Sequence, residues 1–470
     1  MTTQRYDLVI VGAGSGGYAA GRTARALGAS VALVDSGPLG GLCILRGCMP
    51  SKTLLATSDR AQDVREASEL GVEAAAPNID LPRVMARKRE VIKGFTDYRV
   101  EELRSFPLYE GPARFISPHE LRAGDDVVLE GKSFVVATGS VVAPPALPGL
   151  KEAGFIDSDA ALEIGALPKS LIVLGGGYVA CELGQFFARL GVRTTVLIRA
   201  QHLLSHEDRD VGGALTDYFR NEHIVIETGA RLSHVEVRDG QKVVSFMQGG
   251  EQRSIAADEI FYALGRVPNF AELDLDAAGV KHHAITGIEI GPDIRTSNPH
   301  IFAVGDVTGE YPLVHVAIHQ GEIAARNAIL GTSETLDYWL WQTHTIFTDP
   351  QIAIAGWTEK DLIRKGIPYL AGMYLFSDHG KAISINKTKG FVKMLASPDD
   401  GKILGAAIVG AEASDLIHEM VVAMHFGATV YDFVKIPHLH PTLAEILTYP
   451  AEEIIAQRDV GAPARIAAVM

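Results

Sequence analysis

Residues 6–35 decide the fold of this chain and read YDLVIVGAGSGGYAAGRTARALGASVALVD. An apolar run, a glycine-rich turn, an amphipathic stretch ending near Leu-Gly and a second apolar run follow each other in the order of a βαβ unit. The glycines Gly12, Gly14 and Gly17 permit a tight turn, close approach of a pyrophosphate and close helix packing. Asp35 ends the second run, where its carboxylate can accept hydrogen bonds from a ribose. The segment predicts a nucleotide site.

The same plan recurs at residues 170–199, SLIVLGGGYVACELGQFFARLGVRTTVLIR. Gly175 and Gly177 lie in the turn, and the second apolar run is expected to end in Arg199. A guanidinium at that place matches a ribose 2′-phosphate better than a pair of ribose hydroxyls. We therefore expect NADP at this second site, with NAD as the alternative if Arg199 is only a solvated residue at the end of a strand.

Length and composition limit the remaining possibilities. The chain has 470 residues, 47% apolar and 21% charged, which is typical of a globular protein of about three domains. With 43 basic and 57 acidic side chains the formal charge is −14, so neither nucleic acid nor a membrane is expected as a partner. The sequence shows no signal peptide or membrane span, and it contains only three cysteines. These features predict a cytoplasmic protein.

The segments outside the two repeats predict further structure. A charged helical stretch runs from Pro82 to Arg104, among hairpin-like segments, and the proline-rich residues 141–150 predict a domain crossing. Beyond about residue 345, the β-like runs FVKMLAS and ILGAAIVGA precede the helical run ASDLIHEMVVAMHFGA. That order predicts an α+β module with an antiparallel sheet.

Four residues separate Cys43 from Cys48 in the segment GGLCILRGCMPSK. In one regular helix their Cα atoms would be about 8–9 Å apart, beyond the roughly 7 Å limit for a disulfide. A bridge therefore requires Cys43 to lie ahead of the helix or the first turn to be distorted, and such a bridge would be easily reduced. Metal binding is a rival, although no second Cys/His cluster has usable spacing, so no metal site is predicted. By spacing alone, two buried free cysteines remain the simplest interpretation.

The segment GGLCILRGCMPSK closely resembles the redox-active motif of the pyridine nucleotide–disulfide oxidoreductases. Further motifs of that family follow in its order along nearly the whole chain. They are VVATGS (135–140), ALGRVPN (263–269), TSNPHIFAVGDV (296–307), FTDPQIAIAGWTE (347–359) and HPTLAE (440–445).

The resemblance implies an α/β fold with two Rossmann-like nucleotide-binding domains and a C-terminal α+β dimerisation domain. The expected divisions are the first part of the FAD-binding domain at 1–147, the NAD(P)-binding domain at 148–268, the second part of the FAD-binding (central) domain at 269–341 and the dimerisation domain at 342–470. The implied cofactors are FAD and NADP, with NAD as the alternative. The implied partners are a small disulfide or dithiol and a second copy of the chain, in a homodimer with shared active sites.

By the same resemblance, Cys48 would be the charge-transfer thiolate beside the flavin and Cys43 the interchange thiol that attacks the substrate. Lys52 would lie near flavin N5, with Glu182 as its acidic partner. Residues expected to bind cofactors are Gly12, Gly14, Gly17, Asp35, Gly41, Thr138, Gly139, Gly175, Gly177, Tyr178, Arg199, Gly265 and Asp306. Among these, Asp306 would bind the ribityl chain and Tyr178 would cover the nicotinamide pocket.

The resemblance further makes His440 and Glu445 an acid–base dyad, contributed by the other subunit. An imidazole shuttles protons near neutral pH, and a carboxylate on its second nitrogen fixes the tautomer. His438 is the competing candidate, but only His440 stands in the HPTxxE arrangement.

The expected reaction passes electrons from the nicotinamide through FAD to the cysteine pair and on to a small disulfide, or in reverse from a dithiol. No cysteine follows Cys181 in this sequence, so mercuric or thioredoxin reduction through a C-terminal cysteine pair is not expected. Three alternatives stay open. They are dihydrolipoamide dehydrogenase proper, a quinone or metal-ion reductase working directly from the flavin, and a non-turnover redox sensor or complex subunit.

Overall fold

Both predicted βαβ units are present in the computed structural model, which describes residues 2–461. The strands are β1 Thr2–Val11, β2 Val31–Asp35, β3 Leu108–Glu110, β4 Ala113–Ser117, β5 Glu120–Ala123, β6 Val127–Val136, β7 Ser140–Val142, β8 Ser170–Leu174, β9 Arg193–Leu197, β10 Val225–Glu227, β11 Arg231–Arg238, β12 Gln241–Gln248, β13 Glu251–Ala257, β14 Glu259–Tyr262, β15 Arg266–Pro268, β16 His282–His283, β17 Gly287–Ile288, β18 Ile301–Ala303, β19 His344–Ile346, β20 Gln351–Gly356, β21 Leu370–Leu375, β22 Phe391–Ala396 and β23 Ile403–Gly410. The α-helices are α1 Ser15–Ala26, α2 Gly41–Arg46, α3 Cys48–Glu66, α4 Leu81–Leu103, α5 Leu150–Ala153, α6 Ser158–Ala161, α7 Tyr178–Arg189, α8 Arg209–Asn221, α9 Val314–Leu330, α10 Tyr338–Trp341, α11 Glu359–Lys365, α12 Gly380–Ser384, α13 Ala413–His425, α14 Val430–Phe433 and α15 Thr448–Asp459. Short 3-10 helices lie at Ala67–Leu70, Gly305–Thr308, Phe376–Asp378 and Ala444–Leu447.

The described residues divide into two compact units. The first contains the residues up to Thr53, Pro82–Pro144 and Gly265–Tyr338. The second contains Leu54–Leu81, Pro145–Leu264 and the residues from Trp339 onward. The finer division of the chain at residues 147, 268 and 341 stays a prediction.

The first unit is built on a sheet whose strands, among the described residues, follow the order β3-β2-β1-β6-β5-β4, with β18 paired to β6. Strands β1, β2, β3, β6 and β18 are parallel, and the β4–β5–β6 end is antiparallel. The last four residues of β1, 8–11, are buried. A Cβ atom on Gly17 would lie 1.9 Å from the carbonyl oxygen of Gly12. Only glycine therefore lets α1 begin this close to the end of β1.

The second unit contains a parallel sheet in the order β10-β9-β8-β14. Strand β8 is buried along its whole length, and α7 follows it directly. Strand β9 ends at Leu197, opposite the last paired residues of both neighbouring strands, β8 and β10. The expectation that this strand runs to Arg199 is therefore wrong by two residues, and Arg199 lies in the bend that follows the strand.

The same unit contains an antiparallel sheet in the order β19-β20-β23-β22-β21. Strands β22 and β23 are buried at every position, and α13 follows them and packs against β20 and β23. Together with the sheets of the βαβ units, this arrangement confirms the predicted α/β fold with a C-terminal α+β module.

The helices of the described part of the chain include none that is both long enough and apolar enough to span a bilayer. The long helix α4, for example, carries charged side chains throughout its 23 residues.

Candidate active site

A cleft in the first unit brings together most of the residues predicted for the first nucleotide and the cysteine pair. Its lining includes Gly12, Gly14, Asp35, Gly41, Cys43, Cys48, Thr138, Gly139 and Asp306. Gly17 lies behind this lining, at the contact between α1 and β1. The sequence prediction that one nucleotide site adjoins the cysteine motif therefore agrees with the geometry.

The glycine-rich turn leaves open space where a pyrophosphate would approach. Gly12 has a φ of +100°, and a Cβ atom there would lie 2.4 Å from the Ala137 carbonyl oxygen. Gly14, by contrast, faces only the Cα atom of Gly41, which would be 3.8 Å from an added Cβ. Gly14 is also the N-cap of α1, and no side chain caps that helix. A helix N-terminus without a side-chain cap, approached by bare glycine backbone, is suited to phosphate oxygens.

The carboxylate of Asp35 is fixed at the end of β2 by two backbone donors. Its Oδ2 accepts a hydrogen bond from the Ala13 N–H at 2.7 Å, and its Oδ1 accepts one from the Gly37 N–H at 2.7 Å. Each oxygen retains a further lone pair. The group can therefore accept hydrogen bonds from ribose hydroxyls without losing its orientation.

A second carboxylate, that of Asp306, is held at the far side of the cleft. It accepts a hydrogen bond from the Ser140 hydroxyl at 2.7 Å. Arg266 donates through Nε to that same hydroxyl at 3.0 Å and through a terminal nitrogen to the Ser140 carbonyl at 2.8 Å. Neither Ser140 nor Arg266 was among the predicted site residues, although each lies inside a quoted motif. The neighbouring Gly265 accepts a hydrogen bond from the Ala143 N–H, which joins β7 to the start of β15.

The cysteine pair lies where the helix is interrupted. Helix α2 ends at Arg46, Gly47 leaves the helical conformation, and α3 begins at Cys48. The two cysteines are thus in separate helices, which meets the condition that helix geometry sets for a bridge between them. A hydrogen bond between the two thiols and burial raise the pKa of Cys43 above its ordinary range, while the charge of Lys52 acts in the opposite direction. The two sulfurs are therefore neighbours, and their contact favours the protonated form of Cys43.

The second nucleotide segment has the same backbone features as the first. Gly175 has a φ of +115°, and a Cβ atom there would lie 2.5 Å from the Ala263 carbonyl oxygen. Gly177 is the N-cap of α7, has no side-chain cap hydrogen bond, and would have no atom within 4 Å of an added Cβ. Arg199 is exposed in the bend beyond β9. The turn fits a second pyrophosphate, and a guanidinium is available near it.

Tyr178 is held by a pair of side chains that the sequence analysis missed. Its hydroxyl donates to Glu207 Oε1 at 2.5 Å, and its ring stacks on His344 with centroids 5.5 Å apart. His344 Nε2 lies 3.1 Å from the same carboxylate oxygen. Burial opposes the charge of His344, but the hydrogen bond and charge of Glu207 outweigh it and raise the pKa of His344. Burial and the charge of Glu207 raise the pKa of Tyr178.

The predicted acid–base dyad is formed in the second unit. His440 Nδ1 lies 3.1 and 3.0 Å from the two carboxylate oxygens of Glu445. Because a carboxylate only accepts, Nδ1 carries the donated proton and Nε2 is left as the basic nitrogen. The His440 side chain is 76% exposed, whereas that of His438 is 7% exposed and bonds to Glu419 at 2.6 Å. Of these two histidines, His440 is thus the accessible one.

Lys52 and Glu182 have contacts of their own. Lys52 lies in the first turns of α3, near enough to Cys43 to influence its ionisation. Glu182 is buried in α7, and its Oε1 accepts a hydrogen bond from the Phe347 N–H at 2.9 Å. The pairing of these two residues stays a prediction.

Two family models match most of the chain. Residues 6–321 match the pyridine nucleotide-disulphide oxidoreductase family, and residues 343–451 match its dimerisation domain. This chain belongs to the pyridine nucleotide-disulphide oxidoreductases.

Relatives within the family have different substrates. A dihydrolipoyl dehydrogenase of Geobacillus stearothermophilus is 36% identical over 453 residues, covering 95% of both chains. A mercuric reductase of Streptomyces lividans is 34% identical over 459 residues, covering 95% of this chain and 96% of its own. The solved Cu(II) complex of the HOCl-induced flavoprotein disulfide reductase RclA from Escherichia coli superposes with a TM-score of 0.84. The two share 25% identity over 96% of this chain and 100% of that one.

These findings establish the class of reaction that the protein catalyses. The protein is a flavoprotein disulfide oxidoreductase, and FAD is the cofactor that its family supports. The cleft of the first unit fits FAD, because the glycine turn, Asp35 and Asp306 supply a phosphate cradle and two fixed carboxylates along one lining. A nicotinamide cofactor is expected as well, which accords with the second glycine turn at Gly175.

Proposed function

We propose that the protein carries electrons from NADPH through FAD to the Cys43–Cys48 pair, and from the pair to a small disulfide, or in reverse from a dithiol. The observation that carries this proposal is the position of the two hydrogen-bonded thiols in the same cleft as the residues that fit FAD. Neither a redox sensor nor a passive complex subunit needs both this pair and the His440–Glu445 dyad merely to hold a flavin.

The two thiols have different proposed roles in the reaction. FAD, when bound, supplies two-electron transfer between the nicotinamide and the cysteine pair. Once the Cys43–Cys48 bridge is opened, Cys43 attacks the substrate disulfide, which forms a mixed disulfide and releases one substrate thiolate. Cys48 then attacks Cys43, closes the bridge and releases the second thiolate. The two thiolates take up two protons, so that one disulfide and two electrons give two thiols.

His440 is the proposed proton carrier for these steps. The raised pKa of Cys43 means that its thiol needs a base before it can attack. The exposed imidazole of His440, oriented by Glu445, can take that proton and return it to the departing thiolate. We propose that His440 of the partner subunit serves the cysteine pair, so that a homodimer shares its two active sites. The dimerisation domain at residues 343–451 supports this arrangement.

NADP is the proposed nicotinamide cofactor because of the cation beyond β9. A 2′-phosphate is recognised by a guanidinium, whereas the two hydroxyls of NAD call for a carboxylate. Arg199 is exposed there, with Arg209 at the first position of α8. Tyr178 is proposed to cover the nicotinamide pocket, and the cytoplasmic location stays a prediction.

Exchanging Arg199 for glutamate is expected to reverse this preference. We expect kcat/KM for NADPH to fall by about 10- to 100-fold, because loss of one charge-assisted hydrogen bond costs about 1.5–3 kcal/mol. Steady-state kinetics with both nucleotides measure the ratio, and Arg193→Glu, an exposed change at the other end of β9, is the control. A wild type that already prefers NADH would contradict the proposal.

A metal-ion reductase is the second candidate function. The structural relative RclA was solved as a Cu(II) complex, and a mercuric reductase is 34% identical to this chain. Thiols that line an accessible cleft are soft ligands suited to such ions. For metal reduction, the Cys43–Cys48 pair in the cleft and the flavin itself are the proposed sites.

A panel of electron acceptors separates these functions. NADPH oxidation would be followed with lipoamide, glutathione disulfide, a quinone and Cu(II) as acceptors, in the wild type and in Cys43→Ser. The proposal predicts that a disulfide is the best acceptor and that its reduction is lost in Cys43→Ser. Activity that favours quinone or Cu(II) and survives the substitution would assign the protein to direct flavin chemistry.

A further inference from the structure

His379 is a buried histidine that neither the motifs nor the proposed mechanism uses. It is the N-cap of α12, and its side chain is 1% exposed. Its Nδ1 accepts a hydrogen bond from the backbone N–H of Ala382 at 3.4 Å. Its Nε2 is buried and has no hydrogen-bond partner among residues 2–461. A buried polar atom without a partner is costly, which makes its surroundings informative.

The proton of this ring can be placed. Burial and the neighbouring His440 lower the pKa of His379, with Glu445 opposing them, so the ring is neutral near pH 7. A backbone N–H can only donate, so Nδ1 must offer a lone pair to Ala382. The single ring proton of the neutral imidazole therefore belongs to Nε2.

That Nε2–H group faces the carboxylate of the dyad. It lies 3.9 Å from Glu445 Oε2, the oxygen that is also 3.0 Å from His440 Nδ1. The ring of Tyr449 also lies beside His379, at 6.2 Å between centroids and 71° between planes, and Tyr449 is itself stacked on Tyr374. A movement of the Glu445 carboxylate oxygen by about 1 Å towards His379 Nε2 would bring the two atoms to hydrogen-bond distance.

We propose that His379 is a positioning residue for the His440–Glu445 dyad, donating from Nε2 to Glu445 and thereby limiting how strongly that carboxylate holds the proton of His440. The inference rests on the proposed role of His440. A second donor on Glu445 spreads its negative charge, so the imidazolium form of His440 is stabilised less than it would be by a lone carboxylate. The dyad then releases its proton more readily to a departing thiolate.

Two substitutions separate this role from simple support of the loop. His379→Asn keeps an oxygen at the Nδ1 position, as a good N-cap for the Ala382 N–H, and removes the donor that faces Glu445. His379→Gln keeps a donor near the Nε2 position and weakens the cap. The rate of the disulfide half-reaction would be measured against pH in both holoenzyme variants and in the wild type.

The sign of the expected change is fixed by the electrostatics. Without the Nε2 donor, Glu445 becomes more basic and His440 holds its proton to higher pH. The pH at which the rate changes as His440 titrates should rise by about 0.5–1 pH unit in His379→Asn. It should rise by much less in His379→Gln. An unchanged pH profile in His379→Asn, or an equal shift in both variants, would overturn the proposal.

The tautomer of His379 can also be measured in the wild-type protein, without any substitution. In holoenzyme labelled with ¹⁵N-histidine, nitrogen chemical shifts should show His379 as the Nε2–H tautomer, and an Nδ1–H tautomer would overturn the proposal. His440→Ala distinguishes the two levels of inference. If that substitution leaves the disulfide half-reaction unchanged, the proposed function of the dyad fails. If His440→Ala slows the reaction while the pH profile of His379→Asn matches that of the wild type, only the proposed role of His379 fails.

Discussion

Cys48→Ser is expected to lower turnover with a disulfide substrate by at least about 10³-fold, the scale seen when a nucleophilic group is removed. Cys48 begins α3, and its sulfur is the group to which the Cys43 thiol bonds. Without it the bridge cannot close, so the mixed disulfide on Cys43 has no internal nucleophile to resolve it. Reduction of the bound flavin by NADPH does not require the bridge and should change by only a few-fold.

Stopped-flow absorbance separates the two half-reactions in Cys48→Ser. The long-wavelength absorbance of a thiolate beside oxidised flavin should be absent, while flavin bleaching by NADPH persists. Cys181→Ala is the matched control, because Cys181 is buried in the second unit and bonds to the Gly176 carbonyl. If Cys48→Ser kept wild-type disulfide turnover, or if Cys181→Ala lost as much, the assigned route would be wrong.

His440→Ala has the second largest expected effect, a slowing of the disulfide half-reaction by about 10²- to 10⁴-fold, as for loss of a general acid–base group. The reason is the raised pKa of Cys43, whose thiol needs a proton acceptor. Flavin reduction should remain nearly intact, because no proton from the substrate thiols is moved in that step.

The neighbouring histidine provides the control for this prediction. His438→Gln keeps a donor toward Glu419 and should leave the disulfide half-reaction within a few-fold of wild type, since His438 is buried and already paired. Rapid mixing of prereduced enzyme with the disulfide gives the rate directly. Equal losses in both half-reactions of His440→Ala would remove His440 from the proposed role.

Local patterns predicted the parts of the molecule that depend on neighbours in sequence. The two βαβ units follow from the alternation of apolar runs and glycine turns, and close packing of Gly17 on Gly12 requires the spacing that the sequence shows. Helix geometry predicted that a bridge between Cys43 and Cys48 requires an interrupted helix, and the helix is interrupted at Gly47. His440 and Glu445 are five residues apart, so one motif contained both.

The parts that were missed depend on contacts between distant segments. His379 and Glu445 lie 3.9 Å apart across 66 residues of sequence, and no pattern near either one indicates the other. Tyr178 meets Glu207 and His344 in the same way. The end of β9 at Leu197, two residues before the expected position, coincides with the ends of both neighbouring strands, β8 and β10.

Counting thiols tests the central claim most directly. Oxidised holoenzyme and holoenzyme reduced anaerobically with NADPH would be alkylated in denaturant and analysed by peptide mass spectrometry. Of the three cysteines in the chain, only Cys181 should be modified in the oxidised protein, and Cys43 and Cys48 should join it after reduction. Three modified cysteines in both states would contradict the account, because NADPH would then open no bridge between Cys43 and Cys48.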